Sequence, residues 1–159
     1  MSRGKWSPPK WMYRDRRPAS DEAYLENMTR VIFLAGLGWK MIDEKWPNFR
    51  RAFRNFSIDE VAGFGENDLK RLISDSSIVR NRAKIAATLK NAKEFQDIKK
   101  RFGSFKSYLD SLDKSNNYAL AVRELCKRFS RLGPTSARIF LYSVGEDVKH
   151  PREEPSTTP

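Results

Sequence analysis

Residues 129–137 contain groups suited to binding a phosphate. The segment reads Phe-Ser-Arg-Leu-Gly-Pro-Thr-Ser-Ala, with Gly133 in a tight turn and Thr135 and Ser136 in the first turn of the next helix. Free backbone N–H groups and the positive end of a helix dipole attract an anion, and glycine lets the backbone approach it. The pattern is typical of a helix-hairpin-helix that holds a DNA phosphate, with Arg131 adding charge. An ordinary capped turn between two helices is the alternative.

A second basic group opens the longest predicted helix. Arg80, Arg82 and Lys84 alternate in the segment Arg-Asn-Arg-Ala-Lys. Lysine and arginine side chains at such a position are suited to contacting phosphate oxygens. A charged face that meets only solvent is the alternative.

The overall charge supports a polyanionic partner. The chain of 159 residues has 31 Lys and Arg against 20 Asp and Glu, a net charge of +11. Nucleic acid is the first candidate, an acidic membrane surface the second, and a merely basic protein the remaining alternative. The single cysteine, Cys126, excludes an internal disulfide and suits a reducing cytosol. No apolar stretch is long enough to span a bilayer, and the basic N-terminus lacks the apolar segment of a signal peptide.

The spacing of apolar residues predicts an all-α fold without strands. Ser20, Ser57 and Ser104 are favourable N-caps, and Gly36 and Gly38 break the first helix. The expected helices begin near residues 21, 39, 47, 58, 67, 78, 105, 117 and 134. We expect an aromatic and basic arm at residues 1–19 that packs on the body, a helical domain at 20–148 and a frayed, Pro-rich tail at 149–159.

Residues 33–39, Phe-Leu-Ala-Gly-Leu-Gly-Trp, resemble the Ala-Gly-Leu-Ser-Trp signature of the DNA-3-methyladenine glycosylase I family, with Gly38 in place of serine. Further similar segments follow in the family's order, at residues 48–53, 56–62, 75–85, 91–92, 102–105 and 133–135. The resemblance covers roughly residues 30–145. It implies a helix-hairpin-helix glycosylase-like bundle, arranged either as one body or as two small lobes with a cleft between them.

The resemblance also implies a function in base-excision repair. Members hydrolyse the N-glycosidic bond of a flipped, alkylated purine in double-stranded DNA, and this activity would place the chain in the cytoplasm, at the nucleoid, as a monomer. No lysine occupies the slot just after the hairpin where a lyase nucleophile is expected, so we predict a monofunctional enzyme. A helix-hairpin-helix protein that binds damaged or distorted DNA without cutting it is the alternative.

The resemblance assigns several residues to the pocket that binds the flipped base. Trp39 is expected to form the floor under the flipped base, since a cationic alkylated base is attracted to an indole face. Tyr13 is expected to form the opposite wall, and Trp6 to pack beside it. Packing in the core is the alternative for each ring. Leu37, after Gly36, is a candidate wedge for the space that the flipped base leaves, or else a core leucine.

The sequence departs from the family in the metal site. The family's zinc ligands are two cysteines and two histidines, but Gly4 and Arg14 stand at the N-terminal pair and His150 is alone near the C-terminus. We therefore predict no zinc and no other cofactor. The resemblance then requires that packing of Trp6, Trp11 and Tyr13 holds the arm.

The second departure concerns carboxylates. Val31 occupies the position of the family's pocket glutamate, and valine cannot accept a hydrogen bond from an adenine amino group. Glu153 and Glu154, 20 and 21 residues after Gly133, are candidate catalytic carboxylates by analogy with wider helix-hairpin-helix glycosylases. An acidic tail without a role is the alternative for them, and Glu22 and Glu26 are weaker candidates.

Overall fold

The computed structural model describes residues 6–152 and shows an all-α protein, which confirms the predicted fold class. Within these residues the only β feature is a single bridge between Tyr13 and Val144. A 3₁₀ segment, Arg54–Phe56, follows the second helix. The α-helices are Asp21–Leu34 (α1), Trp39–Ala52 (α2), Ile58–Ala62 (α3), Glu66–Ile73 (α4), Arg82–Phe102 (α5), Phe105–Ser111 (α6), Ser115–Arg128 (α7) and Pro134–Ser143 (α8).

Polar side chains cap several of these helices. Ser20, Ser57 and Ser104 each accept a hydrogen bond from a backbone N–H in the first turn of α1, α3 and α6, at the positions that the sequence predicts. Helix α5 begins later than predicted, at residue 82 instead of about 78. Asn81 accepts from the Lys84 N–H at 3.1 Å and so sets the first turn.

Pro47 does not begin a new helix, contrary to the sequence prediction. Helix α2 continues through it, although proline removes a hydrogen bond that would pair with the Asp43 carbonyl. The buried residues Ile42, Trp46 and Phe49 keep helical spacing across the proline. Their burial offsets the missing hydrogen bond, so one helix is maintained.

The buried side chains form one continuous core that draws on all the helices. The described residues therefore share a single core, and two lobes with separate cores are not observed among them. Helix α5 is central, because α1, α3, α4 and α6 all pack against it. None of the helices within residues 6–152 is both long and apolar enough to cross a bilayer.

Stacked rings attach the start of the N-terminal arm to the end of the body. The Trp6 ring stacks on His150 with centroids 4.3 Å apart and also contacts Tyr142 at 5.9 Å. The Tyr13 N–H donates to the Ser143 carbonyl at 2.8 Å. The sequence predicts fraying from about residue 149, but His150 is buried because the Trp6 ring covers it.

Arg14 adds charge to this attachment. Its guanidinium lies 3.6 Å from the centroid of the Tyr142 ring. Its Nη1 donates to the carbonyl oxygens of Tyr142 and Glu146. The arm is thus bound to the C-terminal end of α8 by both aromatic and cationic contacts.

A buried carboxylate makes the second attachment. The Glu146 side chain is 3% exposed and lies 2.8 Å from Arg17 Nη2 and 2.6 Å from Lys114 Nζ. The Tyr118 hydroxyl donates to it at 3.2 Å. Arg17 also pairs with Asp110, whose pKa is lowered below its ordinary value by this hydrogen bond. The network links the arm to α6, α7 and the segment after α8.

Replacing Glu146 tests the strength of this network. Arg17 and Lys114 share two carboxylates, the buried Glu146 and the more exposed Asp110. Glu146→Gln removes the charge of the buried one, so we expect the free energy of unfolding to fall by about 2 kcal/mol. Urea denaturation measures it. Asp147→Asn, at the exposed neighbouring position, should change stability by no more than about 0.5 kcal/mol. Equal effects of the two substitutions would contradict a specific network.

Asp110 should contribute to the pH dependence of stability. Because its folded-state pKa is lowered, its contribution is present above its ordinary pKa and is lost as pH falls through the lowered value. Asp110→Asn should therefore be less stable than the parent at pH 7, by about 1 kcal/mol or less. The two proteins should converge between roughly pH 5 and pH 2. Urea unfolding at several pH values checks this, and a constant difference would contradict it.

Candidate functional site

The turn between α1 and α2 presents an exposed aromatic ring. Gly36 adopts a left-handed φ of +79°, a conformation that glycine adopts readily. Leu37 is half-buried and packs against the core, and Gly38 precedes the first residue of α2. That residue is Trp39, whose side chain is 68% exposed. Trp39 is therefore not a core residue, whereas Leu37 combines core contacts with partial exposure.

Lys84 lies beneath this turn instead of on the surface. Its Nζ donates to the carbonyl oxygens of Phe33 and Ala35 at 3.1 and 2.7 Å, and the residue is 7% exposed. The ammonium thus binds carbonyls at the C-terminal end of α1, where the helix dipole favours a cation. Burial lowers the pKa of Lys84, and the charge of Arg131 lowers it further. The expected phosphate contact of Lys84 is replaced by this structural role.

The hairpin between α7 and α8 lies close by. Its backbone is bound to α5 through Asn91, which accepts from the Ser130 N–H at 2.8 Å and donates to the Ser130 carbonyl at 3.2 Å. Arg131 has the left-handed conformation of the hairpin, with φ +63°. Lys84, which binds the end of α1, and Asn91, which binds the hairpin, lie seven residues apart on α5, so one face of α5 holds both the α1–α2 turn and the hairpin.

The N-terminal end of α8 is open. Gly133 occupies the N-cap and makes no side-chain hydrogen bond, so no capping side chain satisfies the first-turn N–H groups. Gly133 and Thr135 are exposed and Ser136 is half-buried. This end of α8 can donate backbone hydrogen bonds to an anion.

Arg80 and Arg82 are exposed at the start of α5, as a phosphate contact requires. The first turn of α5 contains no acidic residue. These cations therefore stand at the positive end of a helix dipole with no carboxylate in that turn to offset them.

The remaining predicted pocket residues each have neighbours of their own. The ring neighbours of Trp6 are Tyr142 and His150, so Trp6 serves the attachment of the arm. Tyr13 is half-buried, and the guanidinium of Arg16 lies 5.1 Å from its ring centroid. Val31 is buried in the hydrophobic core.

Two of the four candidate carboxylates have hydrogen-bond partners in the structure. Glu26 accepts from Trp46 Nε1 and Arg50 Nε, and Glu22 accepts from the Ile58 N–H. Glu153 and Glu154 lie outside the described residues.

The residues at the family's metal position do not fit zinc. Arg14 supplies a cation there, bound to the Tyr142 ring and to backbone carbonyls. His150 is covered by the Trp6 ring. Across residues 6–152, no three His, Cys, Asp or Glu side chains are grouped so that they could hold a metal ion. The absence of zinc stays a prediction, since Gly4 and Glu154 are not described.

One charged pair, which includes a residue one helical turn from Trp39, is not predicted from the sequence. Arg30, in α1, pairs with Asp43, in α2, through an Nη2–Oδ1 contact of 2.6 Å. The signal for it is an arginine inside the segment Thr-Arg-Val-Ile-Phe, where an apolar or small residue is expected on a buried helix. Only the fold shows that its partner comes from the next helix.

The structural role of Lys84 can be tested by removing its charge. Lys84→Met leaves the carbonyls of Phe33 and Ala35 without their donor, so we expect a loss of about 1–2 kcal/mol in the free energy of unfolding. Amide hydrogen exchange at residues 36–39 should become faster, because the turn is no longer tied to α5. Lys90→Met, at an exposed position of the same helix, is the matched control. Unchanged exchange in Lys84→Met would contradict this role.

Comparison with known proteins identifies the family. A family model described as methyladenine glycosylase matches residues 10–145. DNA-3-methyladenine glycosylase 1 of Escherichia coli (strain K12) is 33% identical over 87 residues, which cover 52% of this chain and about half, 46%, of that protein. DNA-3-methyladenine glycosylase of Haemophilus influenzae is 25% identical over 168 aligned positions, covering 92% of this chain and 91% of that protein.

A solved structure has the same fold. The 3-methyladenine DNA glycosylase I of Staphylococcus aureus superimposes with a TM-score of 0.72 at 23% identity, covering 89% of this chain and 87% of that chain. Because the family model spans most of the sequence and the fold agrees, the chain belongs to the methyladenine glycosylase family.

Proposed function

We propose that the protein is a monofunctional DNA N-glycosylase that hydrolyses the N-glycosidic bond of an alkylated purine in double-stranded DNA. The observation that carries this proposal is the exposed Trp39 ring, which follows a turn whose carbonyls Lys84 binds. Membership of the methyladenine glycosylase family supports it. The proposed enzyme acts in the cytoplasm as a monomer.

The exposed ring suits a flipped base. A base inside a duplex cannot reach an enzyme pocket, so glycosylases extrude it and stack it on aromatic side chains. A purine alkylated on a ring nitrogen carries positive charge, which an indole face attracts more strongly than a neutral base. Trp39 is the proposed floor and Tyr13 the proposed opposite wall.

The surface around Trp39 suits the DNA backbone. Arg80, Arg82 and Arg131 are exposed, and the N–H groups of Thr135 and Ser136 face no capping side chain. Arginines at the positive end of α5 repel the helix dipole, and a bound phosphate would remove that repulsion. These cations and N–H donors are therefore suited to binding phosphates of the DNA strand whose flipped base would stack on Trp39.

Leu37 is the proposed wedge. It protrudes partly from the turn after Gly36 and packs against the core on its other side. An apolar side chain of this kind fills the space of an extruded base and is supported from behind.

The chemistry requires water but no lysine nucleophile. Positive charge on the base already weakens the glycosidic bond, so departure of the base and attack by water suffice. Lys84, the buried lysine nearest the turn, binds two carbonyls and is not placed to attack a sugar carbon. Glu153 and Glu154 stay the candidates for orienting the water.

Base release from methylated duplex DNA tests the proposal, with the free bases separated by chromatography. The parent protein should release an alkylated purine, and Trp39→Ala should lower the rate by about 100-fold or more, since stacking and cation–π attraction are both lost. Its free energy of unfolding should change by less than about 1 kcal/mol because the ring is mostly exposed. Met41→Ala, at another exposed apolar position of α2, is the control.

Salt dependence separates this proposal from its alternative. DNA affinity should fall steeply with salt, because phosphate contacts release counterions. If the protein binds DNA in this way and releases no base, it is a non-catalytic binder of damaged or distorted DNA, as Val31 in place of the pocket glutamate would favour. Affinity that does not change with salt would contradict both functions.

A further inference from the structure

The Arg30–Asp43 pair combines a buried cation with an exposed carboxylate. The side chain of Arg30 is 6% exposed and that of Asp43 is 58% exposed, although the two are in contact. The Asp43 carboxylate is therefore accessible to solvent, and its position is fixed by a guanidinium that is buried inside the protein.

Arg30 occupies a costly position. Its guanidinium carbon lies 4.6 Å from the Trp11 ring centroid and 5.0 Å from that of Trp46. Its Nε is buried and has no hydrogen-bond partner within the described residues, and burial lowers the pKa of Arg30. A buried donor without a partner destabilises a fold, so its presence needs an explanation beyond packing.

Asp43 shares a face of α2 with the exposed ring. Residues three or four apart on a helix lie on one side, and the face facing α1 follows this spacing. Asp43, Trp46 and Arg50 contact residues of α1, and the exposed Trp39 lies in the same row by its spacing. Along this face Arg50 contacts Glu26 and Asp43 contacts Arg30, so the two helices run antiparallel. Trp39 is the next member, one turn from Asp43.

Asp43 also has acceptor capacity to spare. It binds Arg30 through Oδ1, and Oδ2 accepts no hydrogen bond within the described residues. Glu26, the other carboxylate on the α1–α2 interface, already accepts from Trp46 and Arg50. Among these side chains, Asp43 has the free oxygen closest along the helix to Trp39.

We propose that Asp43, positioned by Arg30, contacts the base stacked on Trp39 and selects cationic purines with an exocyclic amino group. This inference rests on the proposed function. The carboxylate accepts a hydrogen bond from the amino group, and its charge favours a positively charged base over neutral adenine. It supplies the acceptor that Val31 cannot provide.

The first test is Asp43→Asn in single-turnover release of 3-methyladenine from methylated duplex DNA. We expect release to fall by about 10- to 100-fold, the value of a charge-assisted hydrogen bond. Affinity for undamaged duplex should stay within about twofold, because no phosphate contact is removed. Glu44→Gln, at the exposed next position, is the matched control and should leave release unchanged.

A second variant separates recognition from structure, because Asp43→Asn alone leaves Arg30 buried without its partner. Combining Arg30→Met with Asp43→Asn removes both charges, so the urea midpoint should return toward that of the parent. Release should stay about tenfold or more below the parent. Release at the parent rate would show that the pair only supports the fold, and would overturn the inference.

Titration with free 3-methyladenine, followed by tryptophan fluorescence, distinguishes failure of the proposed glycosylase function from failure of the proposed role of Asp43. If the parent protein neither binds this base nor releases it from DNA, the proposed function fails and this inference fails with it. If the parent and the double variant bind and release it equally well, only the inference fails.

Discussion

A single ammonium group on α5 determines where the candidate surface lies. Lys84 closes the C-terminal end of α1 by binding two of its last carbonyls, and seven residues further along the same helix Asn91 binds both backbone groups of Ser130. The turn that presents Trp39 and the hairpin that opens α8 are therefore fixed to one rigid helix. Their relative placement does not depend on the loops themselves.

This arrangement explains why a lysine is tolerated in the interior. Its charge is unfavourable there, but it supplies a hydrogen-bond donor to the carbonyls of Phe33 and Ala35 at the end of α1. The cation thus compensates for an α-helix that must stop abruptly before Gly36. The cost of burial is offset locally, and the exposed residues of the turn stay free for binding.

The arm is attached by a different principle. Where the family has metal ligands, this chain has a guanidinium above a tyrosine ring and a tryptophan stacked on a histidine. Glu146 adds a second, ionic attachment through Arg17. Several moderate contacts at separate points restrain the arm, so no single contact has to have the strength of a coordinate bond.

Local patterns in the sequence account for much of the fold. Serine caps, the glycines of the α1–α2 turn and Pro134 at the start of α8 act on their own neighbours, so they can be recognised without a structure. Pro47 was misleading because the energy that maintains α2 comes from the burial of Trp46 and Phe49. The roles of Lys84, Asn91 and Arg30 could not be predicted, since their partners lie 13 to 51 residues away in the chain.

The candidate site likewise combines residues that local sequence signals identify and residues that only the fold identifies. Trp39 is a candidate from the sequence because it lies within a contiguous signature. The structure adds that its ring is exposed, and its role in base binding stays a prediction. Trp6 and Val31 also lie in recognisable segments, but their neighbours depend on how the arm and α1 pack. Asp43 has no signal in the sequence, because an aspartate on an amphipathic helix resembles any surface residue until its buried partner is known.

The contacts between Arg14 and the segment after α8 join residues 128 and 132 positions apart. During synthesis the arm emerges before its docking surface, which is made roughly ten seconds later at ordinary elongation rates. Closing so long a loop is also entropically costly before the body has folded. We therefore expect the arm to dock onto a body that has already assembled around α5.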